Sequence, residues 1–256
     1  MKTLTEIGGR RLPFLRWSAI RMVVGMRHLT NEWQVGDGRE EALGAYVLNE
    51  ARPGDLDDAI RAVDEFCYTQ SLMMNVGDEK GEILDAAVRR VAPQRVLELG
   101  TYCGYSALRI IRQLPPGGHL TTIEFNAANA DIARRIWMHA GVSDRVTVVV
   151  GSLGDGGATL DALATEHDFT EGSVDLVFID HDKSAYLPDL LAIEERGWLR
   201  PGSVAVADNV RIPGAPEYRK YMERQQDGGA WDTVEHETHV EYQSLIKDLV
   251  LESAYR

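Results

Sequence analysis

Two apolar runs in this chain stop on oxygen-bearing side chains. Val177-Phe178-Ile179 leads into Asp180-His181-Asp182-Lys183, and Val204-Ala205-Val206-Ala207 leads into Asp208-Asn209. Such runs read as buried parallel strands, and open α/β sheets bind ligands just beyond the carboxyl ends of those strands. If the two strands are neighbours, Asp180, Asp208 and Asn209 converge on one point with Lys183 beside them. Two carboxylates and an amide carbonyl suit a hard, oxygen-seeking cation such as Mg²⁺. A lysine beside that cation is a candidate base. Alone, a strand-terminal Asp is as readily a helix cap or a solvated loop residue, and a lone Lys is usually a surface residue. The constellation carries the reading. His181 reads as a packing or hydrogen-bonding residue, because the implied ligand set is all oxygen.

A second group stands upstream. Glu98-Leu-Gly-Thr-Tyr-Cys-Gly-Tyr-Ser106 falls at a strand-to-helix junction, where Gly100 and Gly104 permit a tight turn and close approach of backbone to a ligand. The spacing lacks the third glycine of the dinucleotide fingerprint. The next strand ends on Glu124, roughly 20 residues or slightly more beyond the turn, where nucleotide-binding α/β folds place an acid on a ribose diol. A ribose-bearing cofactor with no pyrophosphate to cradle points to S-adenosylmethionine. Cys103 reads as a small packed residue of the turn, since no Cys–His pairing is suggested.

The elements that must hold these residues follow from periodicity and punctuation. Helices are expected from Glu40 to Asn49, from an Asp57 cap through Thr69, and after an Asp78 cap with Ile83, Leu84, Ala87, Val88 and Val91 on one face. After Pro93 strands and helices alternate. Strands are expected at Arg95–Leu99, His119–Glu124, Arg145–Val150, Val174–Asp180 and Ser203–Asp208. Helices are expected at Ser106–Leu114, Ala127–His139, around Leu160–Thr165 and near Leu187–Arg196. This alternation implies an α/β fold with a largely parallel, doubly wound sheet. From about Trp231 to Ala254 the pattern suits two more strands in an antiparallel hairpin.

Composition narrows the class. At 256 residues, 44% hydrophobic and 26% charged, the chain can bury one full core with an appendage. A net charge of -13 argues against general nucleic-acid binding, which needs a basic face. Two cysteines make no disulfide framework, and a reducing, cytoplasmic setting is the expectation. The N-terminus differs: Arg10, Arg11, Arg16 and Arg21 interleave with Leu12, Phe14, Trp17, Ile20 and Val23. No stretch there is long enough to span a bilayer. The pattern fits a basic amphipathic helix, which would pack on the domain, on a second subunit, or on an anionic membrane surface. Residues 1–38 are therefore expected to be an extension and residues 39–256 the catalytic domain.

Four segments together resemble the catechol O-methyltransferase family. They are Met74-Asn-Val-Gly-Asp-Glu-Lys-Gly81, Glu98 to Ser106, Asp180-His-Asp-Lys-Ser-Ala-Tyr-Leu-Pro-Asp189, and Ala207-Asp-Asn-Val-Arg-Ile-Pro-Gly214. The resemblance implies a Rossmann-like methyltransferase fold, a seven-stranded sheet ending in an antiparallel hairpin, and S-adenosylmethionine and Mg²⁺ as cofactors. Asp180, Asp208 and Asn209 would be metal ligands and Lys183 the general base. Glu241 would hold the second hydroxyl of a small-molecule catechol. Glu124 would take the cofactor ribose. Met74, Val76, Glu98, Gly100, Tyr102, Ser106, Asp180 and His181 would line the rest of that site. Phe125 replaces a family Met beside the adenine, and Ser152 stands there just before Leu153-Gly154, which replace a Ser-Gln pair.

On the substrate side the resemblance implies Leu72, Asp182, Lys183, Asn209, Pro213, Val240 and Glu241. Leu72 and Asp182 stand where the mammalian pattern has tryptophans. Asp182 also makes a D-x-D-K motif similar to that of cation-dependent methyltransferases acting on caffeoyl-CoA-type catechols. A protein that binds the cofactor only as a scaffold is the alternative of another class, and it would need neither metal ligands nor base.

Overall fold

The computed structural model describes residues 34–256. The amphipathic segment expected before Arg27 lies outside the described residues. Three helices come first: α1 (Arg39–Glu50), α2 (Leu56–Thr69) and α3 (Gly77–Val91). Then β1 (Arg95–Leu99), α4 (Tyr105–Gln113), β2 (His119–Glu124), α5 (Ala127–Ala140) and β3 (Val146–Val150) alternate. The alternation continues through α6 (Ala158–Glu166), β4 (Val174–Ile179), α7 (Tyr186–Glu195) and β5 (Leu199–Ala207). A short turn of helix over Val210–Gly214 leads to α8 (Pro216–Asp227), and β6 (Trp231–His239) and β7 (Lys247–Tyr255) close the described chain.

The sheet has seven strands in the order β3-β2-β1-β4-β5-β7-β6. The first five are parallel, and β7 runs antiparallel to both β5 and β6. The α/β class, the doubly wound sheet and the antiparallel C-terminal hairpin all match the sequence reading. β1 steps outward to β2 and β3, and the chain then returns to β4 on the other side of β1. Strand order therefore reverses between β1 and β4, the place where such sheets open a crevice for ligands. Ile179 of β4 lies beside Ala207 of β5, so the acidic residues that follow each strand leave the sheet side by side.

Burial explains the strand pattern. Every residue of β4 is buried, because helices cover both faces. One apolar cluster joins α1 to α5 with one face of the sheet, and a second joins α6, α7 and α8 with the other.

Several local expectations change. Asp55, not Asp57, caps α2, its side chain accepting from the Asp58 backbone N–H at 3.0 Å. Asp78 lies inside the first turn of α3 and accepts from the Tyr68 hydroxyl at 2.6 Å. β5 begins at Leu199, ahead of Pro201-Gly202, and a register irregularity opposite Val174–Leu176 absorbs that break. The sequence reading did not anticipate α8. Only Tyr218 and Met222 of that helix are buried, too short an apolar stripe to stand out.

Two glycines have steric causes. Gly104 has φ +83° and a Cβ there would lie 2.6 Å from Trp137 Nε1, whose N–H donates to the Gly104 carbonyl at 3.0 Å. Gly100 has φ +102° and a Cβ would lie 2.6 Å from the Asp180 carbonyl oxygen. The turn after β1 thus packs bare backbone against the end of β4. Gly104→Ala should lower stability by about 2 kcal/mol or more, from a strained φ and displacement of Trp137. Urea denaturation checks this, and an unchanged midpoint contradicts it.

Candidate active site

Beyond the ends of β1, β2 and β4 lies a cavity of about 470 Å³. It is lined by nine residues singled out in the sequence: Met74, Gly100, Tyr102, Glu124, Phe125, Ser152, Asp180, His181 and Asp182. Leu153 and Gly154 line it too. Val76 and Ser106 line a narrow adjoining pocket that shares Met74, Gly100, Tyr102 and Asp180. A roomier recess between α1 and α5, bounded by Gln34, Glu41 and Arg135, is open to solvent and contains none of the predicted residues.

The strand-end carboxylates are fixed by their surroundings. Glu124 accepts from the Tyr102 N–H at 2.8 Å and from the Asn126 N–H at 2.9 Å. Burial still raises it to about 7. The Tyr102 hydroxyl donates to Glu40 at 2.9 Å, which ties the turn to α1. Glu98 is fully buried, and neither of its oxygens has an aligned hydrogen bond among the described residues. Burial pushes it to about 8, against the pull of the Ser106 and Thr122 hydroxyls. Glu98 lines neither this cavity nor the adjoining pocket and stays buried within β1. His181 bonds through Nε2 to Asp189 at 2.9 Å and stacks on Tyr186, while its Nδ1 is buried without a partner. Asp182 accepts from the Ser184 N–H and hydroxyl, which holds its carboxyl below the usual range.

Next to this cavity lies the other predicted set. Lys183 Nζ reaches Asp180 Oδ1 at 2.9 Å and also donates to the Tyr186 hydroxyl. That hydroxyl donates to the Asp208 carbonyl at 3.0 Å, so Tyr186 ties the base candidate to the end of β5. Asn209, at φ +53°, donates its amide hydrogens to Glu241 Oε1 at 2.9 Å and to Asp248 Oδ2 at 2.8 Å. The amide oxygen is then the atom it can offer a ligand. Asp208 Oδ2 is buried with no aligned hydrogen bond. It is approached instead by the Lys80 ammonium at 2.8 Å, an ion contact without hydrogen-bond alignment. Burial raises the Asp208 carboxyl, and Lys80 opposes that rise.

Among the described residues no three His, Cys, Asp or Glu side chains converge as a metal cluster. Asp208 faces Lys80 and Asp180 faces Lys183, since carboxylates taken out of water call for counter-charge. The donor set of Asp208 Oδ2, Asp180 and the Asn209 amide oxygen still has the hard-oxygen chemistry that Mg²⁺ requires.

Three predicted substrate residues sit further out. Leu72 is packed in the apolar cluster, and its carbonyl receives Arg39 Nη1 at 2.5 Å. Pro213 is exposed in the turn after Asn209, and Val240 is half-buried at the end of the hairpin, next to Glu241. Glu241 is brought to Asn209 and Lys80.

Sequence reasoning missed Lys80, Asp248, Tyr186 and Asp189. Lys80, Tyr186 and Asp189 lie inside quoted motifs, yet only tertiary pairing assigns them a task. Asp248 had no signal, since it stands in an ordinary strand pattern.

A doubly wound sheet with an acid-lined cavity at its switch point is a Rossmann-like, nucleotide-cofactor type of enzyme fold. Residues 55–217 match the model of a family described as O-methyltransferase. A probable O-methyltransferase of Mycobacterium tuberculosis is 60% identical over 91% of this chain and 99% of its own length. The mouse catechol O-methyltransferase is 38% identical over 84% of this chain and 78% of its own. Among solved structures, the O-methyltransferase TomG from Streptomyces achromogenes, involved in tomaymycin synthesis and in complex with SAM, has a TM-score of 0.60 and 22% identity. That likeness covers 94% of this chain and 99% of TomG, and it shows the fold. The chain belongs to the O-methyltransferase family. No helix of the described residues is long and apolar enough to cross a membrane.

The Glu98 environment gives a pH test. Its folded pKa of about 8 lies above the ordinary 4.5, so the stability it contributes is full below that ordinary value. That stability is lost as pH rises toward the folded value. Glu98→Gln removes this slope. Without ligand it should gain on the parent by on the order of 3 kcal/mol between about pH 5 and about pH 8.5. Urea melts at both pH values check this, and a pH-independent difference contradicts it.

Proposed function

We propose that this protein transfers a methyl group from S-adenosylmethionine to one hydroxyl of a catechol, with Mg²⁺ as cofactor. The observation that carries the reading is the side-by-side exit of Asp180–Lys183 and Asp208–Asn209 from neighbouring strands, against a cavity lined by Gly100 and Glu124. Catechol O-methyltransferases at 38% and 44% identity support the substrate class.

In this reading Glu124, carried on two backbone N–H groups, orients the cofactor ribose. Glu98 would back the cofactor site from within β1, while Met74, Val76, Tyr102, Ser106, Phe125, Ser152 and His181 would shape the space around the cofactor. When bound, S-adenosylmethionine would supply the methyl group from a sulfonium whose leaving group is a neutral thioether. Asp180, Asp208 and Asn209 would hold Mg²⁺, whose chemistry is to acidify a hydroxyl and to favour an ortho-diol, which can chelate, over a monophenol.

Lys183 Nζ takes the proton of the reacting hydroxyl, held at its post by Asp180 and Tyr186. Glu241 accepts from the neighbouring hydroxyl. Leu72, Asp182, Pro213 and Val240 bound the approach. Holding both reactants in line supplies much of the remaining rate.

Purified protein should methylate a free catechol with S-adenosylmethionine and Mg²⁺, lose the activity in EDTA, and leave a monophenol untouched. Lys183→Ala should lower kcat by about 100-fold or more. Full activity of Lys183→Ala, or indifference to EDTA, contradicts the mechanism. The D-x-D-K motif supports a second reading, methylation of a CoA-linked catechol, and a higher kcat/KM on such a thioester than on the free acid would favour it. Titration calorimetry separates both from a scaffold, because an enzyme should bind catechol only when Mg²⁺ is present.

A further inference from the structure

Lys80 is 1% exposed, yet its ammonium is not wasted on a remote ion pair. It contacts Asp208 Oδ2 at 2.8 Å, Asp248 Oδ2 at 3.3 Å and Glu241 Oε1. Burial disfavours its charge, but the fields of Asp208, Glu241, Asp180 and Asp248 outweigh that cost and keep it protonated. The Asn209 amide donates to the same Glu241 and Asp248 oxygens that Lys80 touches. Lysine and asparagine therefore share one pair of acceptors, and both Asn209 amide hydrogens are engaged there. Asp248 is held from its other oxygen by the Ile212 N–H at 3.0 Å.

We propose that Lys80 is a positioning residue that competes with a divalent cation for Asp208 Oδ2 and so loosens metal binding at this site. The inference rests on the Mg²⁺ reading of the site. It differs from a purely structural ion pair in sign. A structural strut predicts that losing Lys80 disorders the ligands and weakens metal binding. A competing lysine predicts that losing it tightens binding, because a competitor for Asp208 Oδ2 is gone and the field is more negative.

The test is Mn²⁺ binding to the full chain at about pH 8, followed by electron paramagnetic resonance of the free ion, without cofactor or catechol. Lys80→Met should bind Mn²⁺ at least about tenfold tighter than the parent, and Tb³⁺ should gain more than Mn²⁺. Asp248→Asn, which removes one negative charge, should bind Mn²⁺ about tenfold more weakly. The Lys80→Met/Asp248→Asn double variant restores the parent charge and should return to within about threefold of it. Lys80→Met binding no tighter than the parent overturns the proposal, as does a double variant that still binds like Lys80→Met. If Lys80→Met does not fold, Lys80→Gln decides in its place, and binding no tighter than the parent overturns the proposal. A parent protein that binds no Mn²⁺ overturns the metal reading itself, an outcome distinct from binding that ignores charge.

Discussion

A buried ammonium ties four parts of this protein together. Lys80 comes from α3, Asp208 from the end of β5, Glu241 from the hairpin loop and Asp248 from β7. Carboxylates in a dry interior need compensation, since a buried charge left without its partner costs about 3–5 kcal/mol. The position of α3 therefore matters to the site far more than its length suggests. That position is set by another buried pair: Arg109 of α4 reaches Asp85 of α3 at 2.7 Å. It passes over Gly81, where a Cβ would lie 2.5 Å from the guanidinium nitrogen.

The geometry of the cavity follows from the sheet. Parallel pairing brings the ends of β1, β2, β4 and β5 to one edge, where β2 ends on Glu124, β4 runs into Asp180 and β5 into Asp208. Close approach there needs backbone without side chains, which Gly100 provides against Asp180. The Asp180 N–H completes the junction by donating to the Leu99 carbonyl at 2.9 Å. The result places carboxylates from separate segments within one another's fields. Burial raises Glu98 and Glu124 above the usual carboxylate range. Such perturbed acids are common where a ligand supplies the missing partners.

Much of this was legible in one dimension. Strand periodicity located the parallel strands to within a few residues, because a fully buried strand reads as an apolar run and its end as a change to polar side chains. Asp180, Asp208, Glu124 and the Gly100 turn were legible because each sits where a strand stops. α8 was not, since only Tyr218 and Met222 anchor it. Asp78 looked like a cap but bonds the Tyr68 hydroxyl from inside the helix, a contact that depends on where α2 ends.

What the chain alone determines is the alternation of elements and the chemistry available at their ends, since local periodicity and side-chain type are properties of sequence. The tertiary structure decided which of those ends meet and which charges offset which. Lys80, Tyr186 and Asp248 acquire their roles only through partners that lie far off in the chain or on another element. Ion pairing and desolvation act through space, and the register of β5 against β4 and β7 decides what shares that space.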